Sequence, residues 1–273
     1  MARFSLGRFA RVALVAPLML LAAPASAGVG DLLVAPTRIV LNGSRGTEVI
    51  LNNIGDDVAT YRISAELRRM TAEGKLEDVT TPNDKEKVAQ EMILFAPRKV
   101  TLPPNQPQAI RLSTRAPEGL PDGEYRVHML FRAVPPPRPA TESKRTEGVS
   151  FQLRPIYGVT IPVIVRLGNL EAKAALSNVR KVTAEGKPAI ALDISRAGNR
   201  STFGEIRVFK PGVSDPIAMA AGIAVYTELG QRSVTIPIDP AKLASATGQV
   251  TVQYVEPTDT GPVTLAETSA VLR

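Results

Sequence analysis

Between Val149 and Arg166 the chain (VSFQLRPIYGVTIPVIVR) alternates apolar and polar positions with a period of two. One face carries Val149, Phe151, Leu153, Pro155, Tyr157, Val159, Ile161, Val163 and Val165. The other carries Ser150, Gln152, Arg154, Ile156, Gly158, Thr160, Pro162, Ile164 and Arg166. Such alternation predicts a strand with one buried face. Strands are usually about five or six residues long, and this pattern lasts roughly three times that. Pro155 and Pro162 cannot donate to a ladder, which puts the segment at a sheet edge or at bends. A long apolar edge has two physical outcomes. Either another chain's sheet pairs with it, or the strand bends and closes its own domain.

The remaining pattern is one of short strands between turn signals. Thr37–Leu41 and Thr47–Leu51 flank residues 42–46, which read as a hairpin-like connection. Residues 59–67 alternate Tyr61, Ile63, Ala65 and Leu67. A polar excursion runs from Thr71 to Gln90, with a helical turn expected over Asp84–Gln90. Strands follow at Met92–Phe95, at Gln108–Ser113 and, after the Asp122-Gly123 turn, at Tyr125–Val134. Pro97–Pro104 carries an edge or a crossover, and the proline-rich, charged stretch 135–148 reads as a loop. Residues 167–170 form a short linker. Seven further strands are expected at 175–183, 189–195, 203–210, 218–226, 232–238, 248–255 and 262–271. Strands at this spacing predict an all-β chain of β-sandwich domains, and seven per domain suggests an immunoglobulin-like fold.

The first 27 residues change the picture of the compartment. Arg3, Arg8 and Arg11 precede the apolar stretch Val12–Ala23, and Ala25-Ser26-Ala27 supplies a small-residue cleavage pattern before Gly28. A secreted protein starting at residue 28 is expected, and no later window is apolar enough to span a membrane. Losing three arginines and no acids lowers the formal charge from +7 to about +4. That modest excess, with 4% aromatic residues, does not match a nucleic-acid binder.

Catalytic chemistry is not visible. With no cysteine there is neither a disulfide nor a thiolate site, and with no tryptophan there is no antibody-type core. The single histidine, His128, falls on the polar side of its strand with Glu124, Arg126 and Arg132. One histidine cannot make a multi-histidine metal site, and no Gly-x-Ser-x-Gly elbow accompanies it. Acidic residues sit in turns such as Gly55-Asp56-Asp57 and Glu73-Gly74-Lys75. Glu185-Gly186-Lys187-Pro188 lacks the pattern of a phosphate loop and reads as a hairpin turn. The chain is therefore read as a non-enzyme without cofactor, metal or small-molecule substrate.

Four segments together resemble the PapD-like periplasmic chaperones of pilus and fimbria assembly, over essentially all of residues 28–273. They are Pro36–Gly43, then Pro97–Pro103 with Gln108–Ser113, then Leu120–Arg132, and finally the long strand ending Ile161-Pro162-Val163-Ile164-Val165-Arg166. The resemblance implies two immunoglobulin-like domains in an L shape, at 28–166 and 167–273. It also implies that the first domain lends a strand to pilus subunits lacking their own final strand, before delivery to an outer-membrane usher. The donor positions would be Val149, Phe151, Leu153 and Tyr157, with Val159 and Ile161 nearer the chaperone's own core. Arg38 matches the family's cleft arginine, which binds the terminal carboxylate of the pilus subunit. The family's lysine on the long strand is missing here, where the sequence reads Thr160-Ile161-Pro162-Val163, and Arg154 is the candidate substitute. Glu124, Arg166 and Asp259 fall where the family has a charge network between its domains. A secreted immunoglobulin-like adhesin or structural module would also explain the strands. A glycan-active enzyme is disfavoured by the low aromatic content.

Overall fold

The computed structural model describes residues 31–43, 46–135 and 156–273, apart from the side chain of Ser245. The expected signal segment, the donor positions Val149, Phe151 and Leu153, and Arg154 lie outside the described residues.

Eleven strands lie among the described residues of the first half of the chain. One sheet has the order β1 (Leu32–Ala35), β3 (Thr47–Asn53), β9 (Pro107–Thr114), β7 (Ile93–Ala96). The facing sheet has the order β2 (Ile39–Asn42), β11 (Gly158–Leu167), β10 (Gly123–Val134), β4 (Ala59–Glu66), β8 (Lys99–Leu102). Their inner faces meet in one core, with Val49, Leu51, Ile110 and Leu112 from the first sheet and Tyr61, Val127, Met129, Phe131, Ile161 and Val163 from the second. Two proline positions divide strands between the sheets. The chain leaves β1 for β2 at Pro36 and leaves β7 for β8 at Pro97, where the missing N–H ends a ladder. The connection at 42–46 is accordingly not a hairpin. β2 and β3 lie in opposite sheets, because β2 is the switched continuation of β1, and it is β1 that pairs with β3.

A hairpin of β5 (Arg68–Met70) and β6 (Leu76–Asp78), followed by α1 (Asp84–Met92), makes up the polar excursion. Helix α1 starts where a capping box allows it. Asn83 Oδ1 accepts from the Glu86 N–H at 2.9 Å, and Glu86 Oε2 accepts from the Asn83 N–H at 2.8 Å. Glu86 also pairs with Arg69 at 2.6 Å, which ties the helix to the hairpin.

After Leu167 the chain builds a second sandwich. Its sheets have the orders β12 (Ala172–Ala184), β13 (Lys187–Gly198), β16 (Gln231–Pro237) and β15 (Ala218–Val225), β14 (Thr202–Phe209), β17 (Gly248–Thr258), β18 (Gly261–Leu272). Ile190, Leu192, Ile194, Ile206, Val208, Val250, Val252 and Tyr254 fill the space between them. All seven strands expected here from the sequence are present. Glu185 and Gly186 make the β12–β13 turn with φ of 52° and 76°, the two positive values a two-residue type I′ turn requires. Seven strands around one core, repeated in kind in the first half, define an all-β chain of two immunoglobulin-like sandwiches. Tyr125 adds a feature of that fold: at the start of β10 its hydroxyl donates back to the Pro121 carbonyl at 2.9 Å.

The long alternating run is described from Ile156 onward. β11 pairs along its length with β10, and with β2 in parallel only from Val163 to Arg166. Among the described residues, 158–162 have no ladder partner on the β2 side. The expected alternation holds, since Ile161, Val163 and Val165 are buried in the first core. Ile164, on the opposite face, is buried as well, because the second sandwich covers it.

Candidate functional site

The polar face of β10 and β11 is the place where the two sandwiches meet. His128 was expected on a polar strand face, and it does lie there, but it has no exposure at all. Period-two patterning assigns a residue to a face without saying what covers that face, and here the second domain does. The ring stands edge-on to Tyr226, with centroids 6.1 Å apart. Neither ring nitrogen has a hydrogen-bond partner. Burial, followed by the charges of Arg126, Arg68 and Arg38, pushes its imidazole down to about 3.

Around His128 the domains are joined by an apolar contact and by charged hydrogen bonds. Met70 and Ile164 pack on Ala224 and Tyr226. Arg126 donates to both Glu228 oxygens, at 3.0 and 2.6 Å, and lies 3.6 Å from the Tyr226 ring centroid. Burial works to raise the Glu228 carboxyl, but the Arg126 hydrogen bonds and charge and the Met70 N–H outweigh it, leaving it below the usual carboxylate range. The β5–β6 hairpin docks beside this pair. Met70 N–H donates to Glu228 Oε1 at 2.9 Å, and the Ala72 carbonyl accepts from the Ser233 N–H at 2.7 Å. At the hairpin tip Gly74, with φ of 84°, sits so close to the Arg232 guanidinium that a Cβ would lie 2.2 Å from its nearest atom.

Glu124 and Arg166 face each other across β10 and β11 and form an ion pair at 3.3 Å. Glu124 is buried, and its Oε2 also accepts from the Ser201 N–H at 3.0 Å and the Ser201 hydroxyl at 2.8 Å. The pair thus reaches the second domain through Ser201. Asp259 does not join it: this residue sits at the exposed β17–β18 turn and forms no ion pair with a described residue. A different pair stands nearby, with Arg200 bidentate to Glu256 at 2.9 and 3.0 Å.

Arg38 lies one residue before β2, at the edge of the same interface. Its Nη2 donates to Ser201 Oγ at 3.2 Å, and its guanidinium carbon is 4.4 Å from the Phe203 ring centroid and 5.8 Å from that of Tyr226. Nη1 is buried without a hydrogen-bond partner. Burial lowers the guanidinium from its ordinary value, Tyr226 and Glu124 oppose that, and the Arg166 charge reinforces it. Arg38, Arg166, Arg200, Phe203, Glu256 and Asp259 contribute to the wall of one cleft between the domains, about 1110 Å³ in volume. The arrangement suits an anionic group, since Nη1 of this guanidinium is a buried N–H donor with no hydrogen-bond partner among the described residues. The described residues contain no group of three or more metal-ligating side chains.

Tyr157, the one donor position described, is 55% exposed, and its carbonyl accepts from Ala133 N–H at 2.9 Å. With Asp31, Leu32, Tyr61, Phe131 and Val159 it lines a smaller opening of about 210 Å³ at the end of the first sandwich. Sequence reasoning missed Ser201, Phe203, Tyr226 and Glu228. Each reads locally as an ordinary strand or turn residue, and only the meeting of the domains gives it a partner.

No family model matches the sequence, and no curated protein does. Among solved structures the chain is similar to the CupB2 chaperone of Pseudomonas aeruginosa, at 13% identity and a TM-score of 0.47 over 88% of this chain and 100% of that one. It is similar also to the E. coli chaperone DraB, at 17% identity and a TM-score of 0.45 over 90% of this chain and 98% of that one. A third is a structure of the Salmonella enterica SafA pilin in complex with the SafB chaperone, at 16% identity and a TM-score of 0.45, covering 89% and 96% of the two chains. The fold class rests on the strand orders and the two cores described above.

Proposed function

We propose that the protein is a periplasmic chaperone of pilus or fimbria assembly. In this reading it holds subunits that lack a final strand by lending them the run 149–157, and it passes them to an outer-membrane usher. Domains at 28–166 and 167–273 form the two arms, and Glu124 with Arg166 fixes the angle between them. The observation that carries the reading is Arg38: a partly buried guanidinium on a cleft wall, with one hydrogen bond and a buried, unpartnered Nη1, beside the unpaired edge of β11. A buried donor left unsatisfied costs about 1–3 kcal/mol, and more when charged. A terminal carboxylate would offset that cost and fix the register of an added strand through charge-assisted hydrogen bonds. Alternating apolar side chains of the lent strand would fill the subunit's groove, each large one contributing about 1.5–3 kcal/mol. The missing strand lysine makes Arg38 the principal anchor, with Arg154 second. The test is a titration of peptides that copy the last residues of a pilus subunit and end in either a carboxylate or an amide. Arg38→Ala should weaken the carboxylate form by about 2–5 kcal/mol and leave the amide form nearly unchanged. Equal loss for both forms would place the carboxylate elsewhere.

A further inference from the structure

Arg38 belongs to the first domain by sequence, yet its hydrogen bond and both ring contacts come from the second: Ser201, Phe203 and Tyr226. Ser201 is fully buried and faces two ways. Its hydroxyl donates its single proton to Glu124 Oε2, so toward Arg38 Nη2 it can act only as an acceptor. The direction of the chain is therefore set: Arg38 donates to Ser201, Ser201 donates to Glu124, and Arg166 donates to the same Glu124 oxygen. Because Glu124 also receives the Ser201 N–H, the position of that hydroxyl is tied to how the second domain sits on β10.

We infer that Ser201 is a positioning residue for Arg38, so that the carboxylate anchor is assembled by both domains and its occupation is coupled to closure of the domain interface. This rests on the reading of Arg38 as a carboxylate anchor. The physical ground is that a long arginine side chain loses considerable rotamer freedom when fixed, and here the groups that fix it belong to the other domain. If closure orients the guanidinium, then by linkage a carboxylate bound to it favours closure by the same factor. Glu124–Arg166 and Arg38 are then one connected device rather than a hinge lock and a separate binding group.

The probe is an acetylated five-residue peptide of alternating valine and threonine, made with a free carboxylate or an amide at its end and titrated by NMR. The wild type should prefer the carboxylate form. Ser201→Ala should reduce that preference about 5–10-fold, the effect of one hydrogen bond, while binding of the amide form stays the same. Ser201→Thr, which keeps the hydroxyl, should restore the preference. A Ser201 whose role is merely structural would weaken both forms equally in the Ala variant, and that result overturns the inference. A second measurement needs no variant. Hydrogen exchange of the Ser201 amide, which is held by Glu124, should slow at least about threefold with the carboxylate peptide and not with the amide. An unchanged or faster rate also overturns the inference. A wild type with no preference for the carboxylate overturns the anchoring reading and this inference with it. A preference that persists undiminished in Ser201→Ala overturns this inference alone.

Discussion

Lowering the pH from 7 to 5 should destabilise the protein through His128, and replacing that residue with leucine should remove this part of the acid sensitivity. In the folded state the imidazole is fully buried, has no hydrogen-bond partner on either nitrogen, and is pushed down to about 3 by burial and three nearby arginines. In the unfolded chain a histidine titrates near 6.5. Between those values the unfolded state binds a proton that the folded state refuses, so stability falls as pH falls through this window. The cost is about 0.2 kcal/mol at pH 7 and about 2 kcal/mol at pH 5, growing by about 1.4 kcal/mol per unit until the folded value of about 3 is approached. The depressed carboxyl of Glu228 acts in the same direction but only near and below the carboxylate range, so pH 7 to 5 isolates the histidine. Urea titrations of the wild type and His128→Leu at pH 7, 6 and 5 provide the measurement. The leucine variant has its own offset at pH 7. It loses two unsatisfied buried nitrogens, which is favourable, and changes the packing against Tyr226, which is not. The quantity of interest is therefore the slope. A variant that loses as much stability between pH 7 and 5 as the wild type would refute the account of a neutral histidine sealed between the domains.

Three further perturbations test the interface. Glu124→Ala should destabilise by about 3–5 kcal/mol by leaving Arg166 without its partner, and a double-mutant cycle with Arg166→Ala should return a clear coupling energy; a coupling near zero would dissolve the pair. Glu228→Gln should cost about 1.5–3 kcal/mol, because the amide keeps one acceptor oxygen and turns a donor NH2 toward an Arg126 N–H that the carboxylate satisfies, and equilibrium denaturation should show the loss. Gly74→Ala should cost about 1–2 kcal/mol, since a Cβ is disfavoured at φ of 84° and would displace Arg232, and protease sensitivity of the β5–β6 hairpin should rise with it.

The contrast between the two halves of the chain shows what the sequence carries and what it does not. In the second sandwich each strand is bounded by its own turn chemistry, as at Glu185-Gly186, so spacing and alternation sufficed to predict all seven. In the first sandwich two strands switch sheets at Pro36 and Pro97, and a local reading made the stretch before Thr47 into half of a hairpin. Periodicity also correctly separated the faces of β10, putting Val127 and Met129 on one side and Arg126 and His128 on the other. It could not reveal that both faces are covered, because the second covering comes from residues about one hundred positions away, such as Tyr226 and Glu228. A family resemblance singled out Glu124 and Arg166, which the structure pairs, and Arg38, which it places on the cleft wall. Ser201, which joins them, carries no pattern at all, and Asp259, matched by position, stands apart from the pair at the end of its turn.

The chaperone reading is tested most directly by isolating the full-length protein from its own cells and identifying what is bound to it. A one-to-one complex with a pilus or fimbrial subunit whose immunoglobulin-like sandwich lacks its last strand is the expected result. Phe151→Asp or Leu153→Asp should abolish that complex while leaving the chaperone folded, because a carboxylate would have to enter an apolar groove at a cost of several kcal/mol. Normal yield of the complex from both variants, or recovery of the protein with partners whose sandwiches are already complete, would contradict it.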